Sequence, residues 1–385
     1  MSESLKQGRE VSIDYLRAFV TLLVLAHHST LAYTTFAHAD PANYLNSTAP
    51  IVDAQRWVFL DYAENFNDVF FMSLMFLVSG LFVWPSLKAR GIGTFLKDRL
   101  LRLGAPFLLG AAFVMPLAYY PSWLAAGQPP GYLGFWLGFL THGWSPGPLW
   151  FVWVLLLFDL LASVVFLVLR RREGRFVVRS AWKAFLILFA VCFFVYVPLL
   201  ARFGFGTWIP FLVPPLYFQL PRILLYATWF FAGVIVGSRG IGKGFLAEGG
   251  PFARHWPLWL AACVVAYNLL WFVPGGIEHA HGSTQLRDLA YVILWVLSCC
   301  ASCFGLLALF RGAFTVRRAW MDSITRAAYI MYIVHYAYVT WTQYFLLRVT
   351  MFAGLKFLVT FAVVAGASWG TAKLLLKVPA LRRVL

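Results

Sequence analysis

Charge is what this sequence lacks. Only 12% of its residues are Asp, Glu, Lys or Arg, against 61% hydrophobic. Soluble globular chains carry about 25% charged and about 45–50% apolar residues, so a water-soluble globule is excluded. Cysteine is also sparse. All five (Cys192, Cys263, Cys299, Cys300 and Cys303) fall inside apolar runs with no His or acidic residue among them. They read as small packing residues, and neither disulfides nor a zinc site is expected. Ten-residue stretches of alternating polarity are missing, which excludes a barrel. No internal repeat appears, and no polar stretch is long enough to fold as a separate soluble domain.

Apolar runs of spanning length, about 17–25 residues, fill the chain instead. The pattern predicts an all-α polytopic membrane protein, one membrane-embedded domain over residues 1–385. Ten spans are expected, near 15–36, 66–86, 104–122, 148–169, 184–200, 219–238, 257–274, 287–309, 327–346 and 355–376. The first follows a basic N-terminus but is long, polar in places and without a small-residue cleavage site, so it reads as a retained helix. With the N-terminus in the cytoplasm, 24 of the 31 lysines and arginines fall in inner loops and termini. The positive-inside rule then places both termini inside. That bias accounts for the net charge of +16 without nucleic acid. Residues 37–65, with Asp40, Asp53, Asp61 and Glu64, become a long outer connection. Residues 123–147, rich in Gly, Pro and Trp, are expected to be an irregular surface loop. Trp123, Trp136 and Trp144 there read as interfacial anchors or as a stacking surface for a sugar.

The first span organises the rest. It opens Asp14-Tyr15-Leu16-Arg17 and runs through apolar residues to His27 and His28. Eleven steps of about 100° put Arg17 and His28 on one helix face, with about 16 Å of rise between them. His27 lies about 100° round from His28 and is expected to tolerate replacement better. A buried guanidinium and imidazole in a membrane helix usually mark a working interior. Taken singly, Arg17 also reads as an anchor paired with Asp14 at i,i+3, and His28 as a core histidine. Further on, Arg99-Leu100-Leu101-Arg102 puts two arginines at i,i+3, in the stretch Lys88–Arg102, with Arg90 and Lys97 near. This is a phosphate cradle or ordinary inner-loop charge touching lipid headgroups. The ninth span places Tyr329, Tyr332 and His335 on a drifting stripe. His335 sits mid-membrane, as a structural partner or as a lining of a reaction chamber. Ser79-Gly80 in the second span offers a small surface for close helix approach.

Asp14-x-x-Arg17, Arg17 eleven residues before His28, the Ser79-Gly80 ending, Arg99-x-x-Arg102 and Tyr329-x-x-Tyr332-x-x-His335 occur in that order. Together they resemble the acyltransferase 3 family of membrane O-acyltransferases. Leu149-Trp150-Phe151 looks like the branch that includes the periplasmic-glucan succinyltransferases. Pro148, Leu155 and Ser73 stand where many members carry His, Glu and an acidic residue, which fits that branch better than the lipopolysaccharide-acetylating one. The resemblance implies a multi-pass protein of the bacterial inner membrane, surrounded by membrane lipids. It would move an acetyl or succinyl group from cytoplasmic acyl-CoA, a co-substrate with no permanently bound cofactor or metal, to a hydroxyl of an extracytoplasmic carbohydrate. On that reading His28 is the general base and Arg17 positions the donor or stabilises the oxyanion. His335 is a secondary chamber residue, and Asp14, Arg99, Arg102 and Tyr332 bind substrate. A transporter or flippase for a glycan precursor, with Arg and His along a substrate path, is the competing reading.

Overall fold

The computed structural model describes residues 10–40, 42–43, 47–169, 178–379 and 381. Lys6, Arg9, Arg170, Arg171, Arg172, Arg175, Arg382 and Arg383, which enter the charge argument, lie outside the described residues. Among the described residues the fold is helical, with one small hairpin of β1 (Trp208–Pro210) and β2 (Tyr217–Gln219), paired antiparallel so that Ile209 faces Phe218.

Each expected span is helical. The helices are α1 (Val11–Thr30), α2 (Val58–Gly80), α3 (Val83–Arg90), α4 (Ile92–Arg99), α5 (Ala105–Leu109), α6 (Met115–Ala125), α7 (Tyr132–His142) and α8 (Trp150–Leu169). They continue as α9 (Ala181–Phe203), α10 (Ile223–Ser238), α11 (Pro251–Arg254), α12 (Trp256–His279), α13 (Thr284–Ala313), α14 (Ala319–Leu346) and α15 (Ala353–Leu375). Among the described residues, eight helical stretches are long and apolar enough to cross a membrane. The two remaining expected spans, α1 and α14, are long helices that carry Asp14, Arg17, His27 and His28, and Asp322, Arg326 and His335. Their polarity goes with their place. They pack against each other, and α1 also packs against α2, α13 and α15, so neighbours bury Asp14, His27 and His335, while Arg17 and Arg326 stay partly open.

Contacts at both ends hold α1. Buried Arg311 of α13 donates from Nη1 to Glu10 Oε2 (2.6 Å) and Ser12 Oγ (3.1 Å), and from Nε to the Leu246 carbonyl (2.9 Å). Tyr15 donates to Asp322 Oδ1 (3.0 Å) and accepts from the Arg318 amide (2.7 Å), tying α1 to the start of α14. At the other end Gln343 Nε2 donates to the His28 carbonyl (3.2 Å), which the helix end leaves without an intrahelical donor. Elsewhere, α2 and α10 touch backbone to backbone. A Cβ at Gly80 would collide with the Phe230 carbonyl, and one at Gly233 with the Leu77 carbonyl. Ser79-Gly80 thus makes the small surface its sequence predicts.

Three expectations change. The 37–65 connection ends early, because α2 begins at Val58 and carries Asp61 and Glu64 into the bundle, both buried. Asp53 of the same connection is buried too, 2.6 Å from Lys356 Nζ of α15. The 123–147 segment is not irregular. After Pro129-Pro130-Gly131 the run YLGFWLGFLTH forms α7, whose Phe135 and Phe139 pack on Trp123 and Tyr119. Burying that aromatic face outweighs the helix cost of Gly134 and Gly138, about 1 kcal/mol each. Arg99 and Arg102, finally, are not on a loop. The helix runs from α4 through a π-helical turn, Leu100–Gly104, into α5, and a second such turn, Gly110–Val114, leads into α6.

Candidate active site

Two cavities share one lining residue, the aromatic Tyr332. The first, about 330 Å³, is lined by Arg17, Arg99, Arg102 and Arg326, with Ser79, Thr325 and Tyr329. The second, about 690 Å³, is lined by His27, His28, Glu64, Asp68, Arg222 and a set of aromatic rings. Tyr332 lines both. Its hydroxyl donates to the Pro148 carbonyl, so the ring stands fixed between α14 and the entry to α8.

The shared face of Arg17 and His28 therefore serves two chambers, one residue in each. Arg17 Nη2 donates to Asp14 Oδ1 at 2.9 Å. Asp14 stands behind Arg17 and does not line the cavity, so its contact with a ligand is indirect. Arg99 and Arg102 face the arginine cavity together, as their spacing suggests. Arg90 and Lys97 do not join them; Arg90 pairs with Asp98 at the surface. The Tyr329 hydroxyl donates to the Arg102 carbonyl at 2.6 Å and braces the π-helical turn against α14.

His28 sits among rings. Its imidazole centroid lies 5.0 Å from that of His27, 5.2 Å from His335 and 5.1 Å from Tyr336. Its Nδ1 has no hydrogen-bond partner among the described residues. A core histidine bonded to a neighbouring carbonyl, the alternative for His28, is what His335 turns out to be. Fully buried, His335 lines neither cavity, and its Nδ1 is 2.6 Å from the Tyr332 carbonyl. A carbonyl only accepts, so Nδ1 carries the proton and the neutral ring keeps its lone pair on Nε2. His335 thus backs His28, bonds back to its own helix and does not face a chamber.

The histidine cavity also holds groups the sequence reading left elsewhere. His27 Nε2 is 3.6 Å from Glu64 Oε1. Arg222 makes a bidentate pair with Asp68, at 2.8 Å and 2.6 Å, and lies 5.3 Å above the Trp295 ring. Asp61, Glu64 and Asp68 follow i, i+3, i+7, a helical stripe that would have marked α2 as starting before residue 66. The aromatic lining comes from Trp150, Trp208, Tyr226, Tyr291 and Trp295. Trp123, Trp136 and Trp144 are absent from it. Their indoles donate to the carbonyls of Pro129 (2.9 Å), Ala112 (2.7 Å) and Ala111 (2.9 Å), the last two in the second π-helical turn. Trp136 and Trp144 fasten α7 and its exit to that turn, and Trp123 ties the end of α6 to the loop before α7.

Chemically, one chamber is built for an anion and the other for a polar, ring-shaped molecule. Tyr332 is common to both, and the imidazole of His28, with its buried Nδ1 unpaired among the described residues, lines the second. A family model described as an acyltransferase domain matches residues 10–372, nearly the whole chain. No curated protein and no solved structure matches it.

Proposed function

Because the chain belongs to the acyltransferase 3 family, we propose that this membrane acyltransferase takes its acyl group from acyl-CoA and delivers it to a carbohydrate hydroxyl. The observation that carries the reading is the pair of unlike cavities meeting at Tyr332. Acyl-CoA is a phosphorylated anion, and forked guanidiniums suit phosphate. Its pantetheine arm is long and thin enough to run from Arg99 and Arg102 to Tyr332. A sugar matches the opposite chamber, where aromatic faces stack on its rings and Glu64, Asp68 and Arg222 hydrogen-bond its hydroxyls.

Where the chambers meet, the acceptor oxygen attacks the thioester carbonyl while His28 takes the hydroxyl proton. The C–O bond forms and the C–S bond breaks. The departing thiolate recovers the proton from the imidazolium, leaving an ester and free coenzyme A. About 16 Å of helix rise separates Arg17 from His28, too far for both to serve one carbonyl. Arg17 is therefore assigned to donor positioning and not to the oxyanion. His335 and Asp14 act at one remove, through His28 and Arg17. A transporter would need no such general base, and the family match favours the enzyme.

The proposal extends to ten spans with both termini cytoplasmic, the arginine cavity facing the cytoplasm of a bacterium and the histidine cavity facing outward. Acetyl or succinyl are the expected acyl groups and a periplasmic glucan the expected acceptor. Purified protein incubated with acetyl-CoA or succinyl-CoA and envelope glycan should yield O-acylated glycan by mass spectrometry. Free thiol release without any glycan mass shift, from either donor, refutes the acceptor class.

A further inference from the structure

Helix α8 contains a single ionisable residue. Nineteen of its twenty residues are apolar or hydroxyl-bearing, and the twentieth, Asp159, is fully buried. A carboxylate at that depth is expensive and tends to persist only beside a partner of opposite charge. The partner is Arg99, whose Nε lies 3.1 Å from Asp159 Oδ2. Neither carboxylate oxygen has a hydrogen bond among the described residues, so the contact with Arg99 is what compensates the charge. The guanidinium is held on a second side by the Phe95 ring, 5.0 Å from its carbon to the ring centroid. Arg99 itself keeps 22% of its side chain exposed and lines the arginine cavity, whereas Asp159 does not reach it. The clasp engages Nε, at the root of the fork. No hydrogen bond to the Nη groups is present among the described residues, so the end that binds phosphate oxygens in pairs stays available.

We infer that Asp159 is a positioning residue for the anionic donor: the Arg99–Asp159 contact across the α4–α8 boundary, backed by Phe95, aims the Arg99 fork into the arginine cavity. This rests on the donor-site reading above. The flexible arginine stem has many rotamers, and a fixed fork loses less freedom when the ligand binds. The sign of the effect separates aiming from bulk charge. Removing a carboxylate makes the chamber more positive, so an effect of charge alone would tighten anion binding. Loss of aim weakens it.

The test uses the full-length protein in detergent, acetyl-CoA as probe, and equilibrium binding with melting temperature measured on the same samples. Asp159→Asn is expected to weaken acetyl-CoA binding about tenfold, and Arg99→Ala at least as much. The double variant should be within about twofold of Arg99→Ala alone, because a residue acting through Arg99 has nothing left to aim. Independent losses that multiply, unchanged affinity in Asp159→Asn, or tighter binding would each overturn the inference while leaving the donor site standing. Wild-type affinity in Arg99→Ala would instead remove the donor reading and this inference with it. If Asp159→Asn fails to fold, Asp159→Glu keeps the charge and shifts the clasp by one methylene. A threefold or greater loss of affinity is then expected, and an unchanged affinity overturns the role.

Discussion

Replacing His28 by Ala separates chemistry from architecture. The imidazole offers a base that the proposed transfer needs only in its transition state, so the loss should fall on turnover and spare donor binding. Loss of a general base typically costs about a hundredfold to ten-thousandfold in rate, or about 3–5 kcal/mol of barrier. The structural cost should be smaller. His28 Nδ1 forms no hydrogen bond that would be broken, and the side chain borders an existing cavity, so truncation enlarges a space already open. What disappears are ring contacts with His27, His335 and Tyr336, of which aromatic pairs are worth about 0.5–1.5 kcal/mol each. The decisive experiment measures three quantities on one purified His28→Ala sample: glycan acylation by mass spectrometry, acetyl-CoA affinity and melting temperature. Acylation should fall by at least a hundredfold with affinity within about threefold of wild type and the protein folded. A folded variant with near-normal acylation refutes the assignment of His28 as base. The contrasting change, His335→Ala, should lower melting temperature, since it empties a fully buried site and breaks the bond to the Tyr332 carbonyl.

Other outcomes follow from the same geometry. Arg102→Ala should weaken acetyl-CoA binding about tenfold to a hundredfold, since a hydrogen bond to a charged group contributes about 1.5–3 kcal/mol; unchanged affinity would return Arg102 to a role in topology. Arg222→Met should destabilise the fold by about 1.5–3 kcal/mol, because it removes the charge-assisted hydrogen bonds to Asp68, whose side chain is 32% exposed, and Asp68→Leu with Arg222→Met should recover much of the loss in a denaturation series. A cysteine at position 43 should react with an impermeant thiol reagent in intact cells if the 37–57 connection faces outward, and labelling only after lysis would reverse the proposed topology.

What could be read in advance was whatever is local along one helix. Arg17 and His28 declare themselves because a guanidinium and an imidazole interrupt an apolar run, and helical geometry alone puts them on one side. Arg99 and Arg102 are legible for the same reason. The stripe of Asp61, Glu64 and Asp68 signals an earlier start for α2, but nothing local pairs Asp68 with Arg222. Arg222 joins Asp68 across 154 residues of chain, and only the early start of α2 carries Glu64 inward. His27 was discounted by its angle from His28, yet a cavity is wider than one helix face and takes in both. His335 shows the reverse case. Its stripe with Tyr329 and Tyr332 is real, but the stripe drifts, so the last of the three turns away from both chambers. Asp159 is the lone charge in its span, and its meaning depends on α4, which only the packed bundle brings beside it.

The wall at Tyr332 bears on permeability. On the proposed orientation, a group entering from the cytoplasm leaves on the other face, yet the two chambers meet only at side chains, with Tyr332 pinned to Pro148 between them. If that contact stays closed during turnover, water and ions have no continuous file to follow. Only the acyl carbon has to change sides, and it does so by exchanging one bond for another. The membrane potential would thus be insulated from each turnover, and the protein would need no alternation between inward-open and outward-open forms. Enlarging the gap, as Tyr332→Gly would, puts that insulation at risk together with the chemistry.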